Sequence, residues 1–156
     1  MSYKQAGVAL LVLLPLASAA SAGFDATNRA GTWLDVRSDE SESDALLRLG
    51  CHGFGLIDAH LGATFDIGKG GHEAVSLTLT SGKLTARVKG LSIESEDSEL
   101  TGGIELLTAL MANDEAFAVL TSGKEIILQS GRSKAERFTL GKETTAALKA
   151  FLKKCG

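Results

Sequence analysis

Aromatic residues are scarce in this chain: one tryptophan, one tyrosine and six phenylalanines. So few rings argue against a carbohydrate-binding surface built from stacked aromatics. Positive charge is also short, with 16 Lys and Arg against 19 Asp and Glu. A mildly acidic chain is a poor binder of nucleic acid, whose phosphates demand a basic face. The nearest thing to a basic cluster is Lys153-Lys154, which reads as a solvated helix face. Beyond residue 22 no apolar run approaches the roughly 20 residues of a membrane span, so no membrane anchor is expected in the mature protein.

The motifs of common chemistries are missing too. There is no HExxH zinc pair and no GxSxG nucleophile elbow. The acidic run Ser38 to Asp44 has alternating carboxylates but lacks the glycine and closing glutamate of a calcium loop. Within Gly62 to Gly71, GATFDIGKG has a superficial likeness to a phosphate-binding loop. Five residues rather than four separate Gly62 from Gly68, and Gly70 stands where a metal-binding Ser or Thr is needed. The carboxylates sit in hydrophilic runs, not beside apolar residues that would raise a pKa. No enzyme activity and no cofactor are therefore expected. The candidate reactive groups reduce to His52, His60 and His72, with the sequence pairs Asp58-Ala59-His60 and His72-Glu73. A metal site of three histidines would require three loops to converge. A catalytic site would require Asp58, His60 and a further acid to share a pocket.

What is present begins with a leader. Lys4 is followed by a short apolar stretch, Ala6 to Ala17, and Ala20-Ser21-Ala22 has the small-x-small form that a signal peptidase cleaves. Residues 1–22 are read as a signal peptide, and 23–156 as one exported domain of a bacterial periplasmic or secreted protein. Loss of Lys4 leaves a net charge of −4.

The mature part reads as strands. Gly23 to Thr32 is a polar lead-in, and Thr32 to Arg37 a first strand with Trp33 as a core or core-edge anchor or, in the alternative, a ligand-stacking ring. Ala45 to Cys51 and Gly53 to Ala59 follow. TSGK recurs at 80–83 and 121–124, each time between strand-like runs, and predicts two hairpins, the second formed by Glu115 to Thr121 and Glu125 to Gln129. Ser92 to Thr101 is an acidic loop. Ile104, Leu107, Leu110 and Met111 have helical spacing and predict a short helix within Gly103 to Asn113. After a closing strand, Ala135 to Leu140, Gly141 introduces a helix from Lys142 to Lys154 whose apolar face is Leu148, Phe151, Leu152 and Cys155. The fold expected is α+β: an antiparallel β-sheet or sandwich of about seven or eight strands, with a short middle helix and a C-terminal helix. Cys51 and Cys155 both fall on core faces, and two cysteines in an exported chain are expected to pair. Two buried thiols, or a bridge between two chains, are the alternatives.

Trp33, the leucine-rich strand into Cys51, VSLTLT at 75–80, and F-x-L-G with AL-x-x-F-L-x-x-C at the end together resemble periplasmic proteins associated with type VI secretion. Phe138, Leu140, Gly141, Ala147, Leu148 and Cys155 carry the match. The chain departs from that pattern in lacking an arginine at 77–79 and a tryptophan at 91–95. The resemblance implies a sheet closed by a helix whose last cysteine pairs with one in an early strand. The function expected is a non-catalytic accessory or binding protein that recognises another envelope or secreted protein through a sheet face or acidic loop. The alternative is an inhibitor or immunity-type protein of an envelope hydrolase, acting through a rigid loop within His52 to Gly71 or Ser92 to Gly103, and a small hydrolase is the third reading. The candidate partner-contacting residues are Trp33, His52, Asp58, His60 and His72.

Overall fold

A computed structural model describes residues 24–29, 33–38, 45–95, 103–132 and 134–156. The expected leader, Met1 to Ala22, lies outside the described residues, as do 39–44 and 96–101 of the two acidic segments.

The strands are β1 (Phe24–Arg29), β2 (Trp33–Ser38), β3 (Ala45–Gly53), β4 (Leu56–Leu61), β5 (Gly71–Ser81), β6 (Leu84–Glu94), β7 (Ile104–Met111), β8 (Ile126–Ser130) and β9 (Lys134–Phe138). A short helix, α1 (Glu115–Leu120), lies between β7 and β8, and α2 (Lys142–Cys155) follows β9. The strands form one antiparallel sheet in the order β1-β2-β3-β4-β7-β6-β5-β8-β9, curled into a half-barrel. A single sheet therefore stands where a sheet or a sandwich was expected.

Alternation sets the two faces of the sheet. Leu34 and Val36 of β2, Leu47 and Leu49 of β3, and Ile57, Ala59 and Leu61 of β4 point inward and are buried. Leu106 of β7, Ala86 and Val88 of β6, Leu77 and Leu79 of β5, and Ile126 and Leu128 of β8 continue the same core. The helix α2 seals it with Leu148, Phe151 and Cys155, packing against β1, β2 and β3. That face is the one the 3.6-residue period predicts, with Leu152 at its half-buried edge. Glu143 in the first turn and Lys153 and Lys154 in the last suit the helix dipole.

Two connections each pass over a pair of strands. The 62–70 segment leads from β4 past β7 and β6 to β5, buries Ile67, and donates the Ile67 amide to the Ile104 carbonyl at 3.5 Å. At the other end, α1 carries the chain from β7 to β8 and packs on β6 and β5.

Four sequence expectations are corrected. The polar lead-in contains β1, which pairs with β2 from Phe24↔Ser38 to Arg29↔Trp33. The segment 104–111 is a strand, not the expected middle helix. Its apolar residues satisfy a helical period, but both of its edges are paired, to β4 and β6. Lateral pairing decides such an ambiguous run. Glu115 to Thr121 is helical, not the strand of a second hairpin. Asp114 caps it by accepting from the Ala116 amide at 2.9 Å. Its buried residues, Ala116, Phe117, Val119 and Leu120, follow a helical 1-2-1 spacing rather than alternation. The second TSGK thus joins a helix to β8, whereas the first is the turn of the β5–β6 hairpin as expected. Finally, Trp33 is not a core anchor: it lies on the outer face, 38% exposed.

Candidate functional site: the outer face of β2–β3–β4–β7 and its hairpin tip

Because Leu34, Val36, Leu49 and Ala59 point inward, their neighbours Trp33, Asp35, Arg48, Gly50, Asp58 and His60 point outward. The register aligns them in two rows. One row is Trp33, Gly50, Asp58; the next is Asp35, Arg48, His60. A Cβ at Gly50 would lie 2.8, 2.9 and 3.1 Å from Cη2, Cζ3 and Cζ2 of Trp33. The indole therefore lies across the glycine and fills the space a side chain would take.

The second row consists of paired charges. Asp35 Oδ1 lies 3.4 Å from Arg48 Nε, and the Asp35 side chain is 3% exposed. His60 Nδ1 lies 2.8 Å from Glu105 Oε1, one strand further on in β7, and this pair is also largely buried. A buried carboxylate needs such a partner to offset its desolvation. In the first row His52 Nε2 lies 2.6 Å from Asp58 Oδ2, and both side chains are about half exposed.

The β3–β4 hairpin ends the first row. Gly53, Phe54 and Gly55 all take positive φ, at 84°, 52° and 77°. Positive φ suits glycine and is a true outlier for a bulky residue such as phenylalanine. The Phe54 side chain is fully exposed. Its support is rigid. Gly55 donates its amide to the Cys155 carbonyl at 3.0 Å and accepts from the Ala112 amide at 2.7 Å. Cys51 and Cys155 form a disulfide with a Cα–Cα distance of 5.7 Å. The bridge is thus within one chain, and it ties the last turn of α2 to the strand below the tip. Leu56 and Met111, opposite each other in register, flank the tip with half-exposed apolar side chains.

Four of the five candidate residues therefore share one surface: Trp33, His52, Asp58 and His60. Asp58 and His60 occupy the same face of β4, but each has a separate partner. His72 lies elsewhere, exposed at the start of β5 with φ 61°. Beside it, the glycine-rich segment does bind an anion, but an internal one. The Glu73 carboxylate accepts from the amides of Lys69 and Gly71, and Gly70 donates to Ser92 Oγ. Hydrogen bonds from its own amide and that of Lys69 are the main causes that hold Glu73 below the ordinary glutamate range. Among the described residues no three His, Cys, Asp or Glu side chains cluster as metal ligands would.

Sequence reasoning passed over Asp35, Arg48, Glu105, Phe54 and Gly50. A signal was there: WLDV, LLRL and IELL each set one ionisable residue, and DAHL two, inside an apolar strand. Comparison with protein-family models, with curated proteins and with solved structures finds no match.

Proposed function

We propose that this is a non-catalytic, exported binding protein that recognises another envelope protein through the outer face of β2–β3–β4–β7 and the Phe54 tip. The observation that carries this is the placement of exposed apolar side chains. Among the described residues the large exposed hydrophobics are Trp33, Phe54, Leu56, Leu84, Leu91 and Met111. Trp33, Phe54, Leu56 and Met111 lie on this face or its tip, and Leu91 stands beside it on β6, opposite Leu107 of β7. Exposed apolar surface gathered on one side marks an interaction site, whereas scattered single residues do not. The rigid charge pairs beneath it would fix register rather than supply most of the affinity. The leader-like residues 1–22 support export, and the resemblance to proteins associated with type VI secretion supports a place beside a secretion machine.

A second reading, inhibition of an envelope hydrolase, is favoured by one observation. Phe54 projects fully exposed from a hairpin braced by a disulfide and two backbone hydrogen bonds, a form suited to plugging a cleft without a large ordering cost.

Site-specific photo-crosslinking in intact cells tests both. A crosslinker at Phe54, Leu56 or Leu91 should capture one abundant envelope protein, and one at Leu84 should not. A secretion component in the adduct supports the accessory role, and a hydrolase supports inhibition. Equal capture from Leu84, or none from the face, overturns the proposal.

A further inference from the structure

On the reading of this face as a recognition surface, we infer that Trp33 and Asp58 form a subsite for a guanidinium group, an arginine side chain of the bound protein. Three features meet there. The indole is held flat by Gly50, where three consecutive ring carbons press on the glycine, so its other side faces outward. Asp58 is the next residue in the same row, one strand spacing or about 5 Å beyond Gly50. Its Oδ2 holds His52, which leaves Oδ1 without a partner among the described residues.

The accessible carboxylate selects the ligand. Among the side chains described on these four strands the acids are Asp35, Asp58 and Glu105 and the cation beside them is Arg48, while Arg29 of β1 is the register partner of Trp33. Asp35 and Glu105 are buried with their partners, and Asp58 is the carboxylate left accessible. A cation is thereby drawn to the edge of the ring. A planar guanidinium stacks on the indole while its N–H fork reaches sideways to the carboxylate, a geometry that a lysine ammonium does not offer. A sugar would need several free donors and acceptors around the ring, but the neighbouring polar groups are committed to one another.

Trp33 is the only tryptophan, so intrinsic fluorescence reports this subsite alone. The mature, oxidised protein is titrated with N-acetyl-Gly-Arg-Gly-amide and with the citrulline analogue, an uncharged isostere. The expected result is a saturable change in emission with the arginine peptide that weakens as salt rises. Citrulline should give none. Asp58→Asn should weaken binding about fivefold while leaving the thermal midpoint of this exposed site unchanged. Equal responses to arginine and citrulline, or an unchanged response in Asp58→Asn, would overturn the subsite. So would the absence of any saturable change at tens of millimolar peptide. The photo-crosslinks from Phe54 and Leu91 do not depend on the guanidinium. Capture there without an arginine response removes this inference and leaves the recognition face standing, whereas failure of both removes both.

Discussion

At the scale of single residues, Gly50 and Glu73 make separable predictions. Replacing Gly50 by alanine places a methyl group inside the volume of the Trp33 ring. The ring is the free end of a half-exposed side chain, so it should lift away rather than strain the strand. The expected outcome is a shift in Trp33 emission and weaker arginine binding, with stability in urea changed by less than about 1 kcal/mol. Glu73 acts through protonation. Its folded-state pKa is depressed, so it adds stability above the unfolded-state value of about 4.3, and that stability is lost as pH falls through the lower folded value. Glu73→Gln should therefore be less stable than the wild type at pH 7, and the gap should close in acid. A gap that persists unchanged to pH 2 would show that the carboxylate charge contributes nothing. At this scale the sequence is a poor guide. GATFDIGKG suggested a failed phosphate loop, but nothing in the spacing showed that the loop amides turn onto Glu73, three residues past its end. His60 could be singled out as ionisable, whereas its partner Glu105 lies 45 residues away and is found only through the β4–β7 pairing.

At the scale of elements, the clearest structural prediction concerns α2. Leu148 is fully buried at the centre of its face. Leu148→Ala should cost about 2–5 kcal/mol, the range for a large-to-small change in a packed core. A loss below 1 kcal/mol in chemical denaturation would mean the helix is not seated as described. This element was legible in advance because its signals agree: a glycine before it, helix formers through it and a single apolar stripe. The strand β7 and the helix α1 were read in reverse for a shared reason. Each is a short apolar run, six to eight residues long, in which helical and alternating spacings both find matches. What separates them is Asp114, which caps α1, and the strands on either side of β7. Only the first of these is local. β1 was missed because its residues, FDATNR, are polar, and its pairing to β2 is a property of the sheet rather than of its own composition.

At the scale of the whole molecule, the disulfide and the tip are mechanically one device. The bridge joins residues 104 apart in sequence. Removing it by Cys51→Ser with Cys155→Ser should lower stability by roughly 4–5 kcal/mol if chain entropy dominates, measured as the shift in urea midpoint at constant slope. Phe54→Ser is expected to behave differently. It touches no core, so stability should stay within about 0.5 kcal/mol of the wild type, but capture of the partner from Leu56 should fall sharply. A variant that kept full capture would assign recognition to the flat face alone. The architecture at this scale, one antiparallel sheet closed by a cysteine-bearing helix, could be anticipated from alternation and from the two core-facing cysteines. The strand order could not, because inserting β7 and β6 between β4 and β5 leaves no mark in local sequence.

The sequence distance across the bridge also sets a timetable. At a synthesis rate of 5–20 residues per second, the 104 residues between the two cysteines take roughly 5–20 s to appear. Throughout that interval Cys51 is an unpaired thiol, and the amide of Gly55 has no Cys155 carbonyl to meet. The hairpin that carries Phe54 is among the first structures able to form, yet it is among the last to be locked. Closure of the bridge, rather than pairing of β3 with β4, then completes the support of the tip.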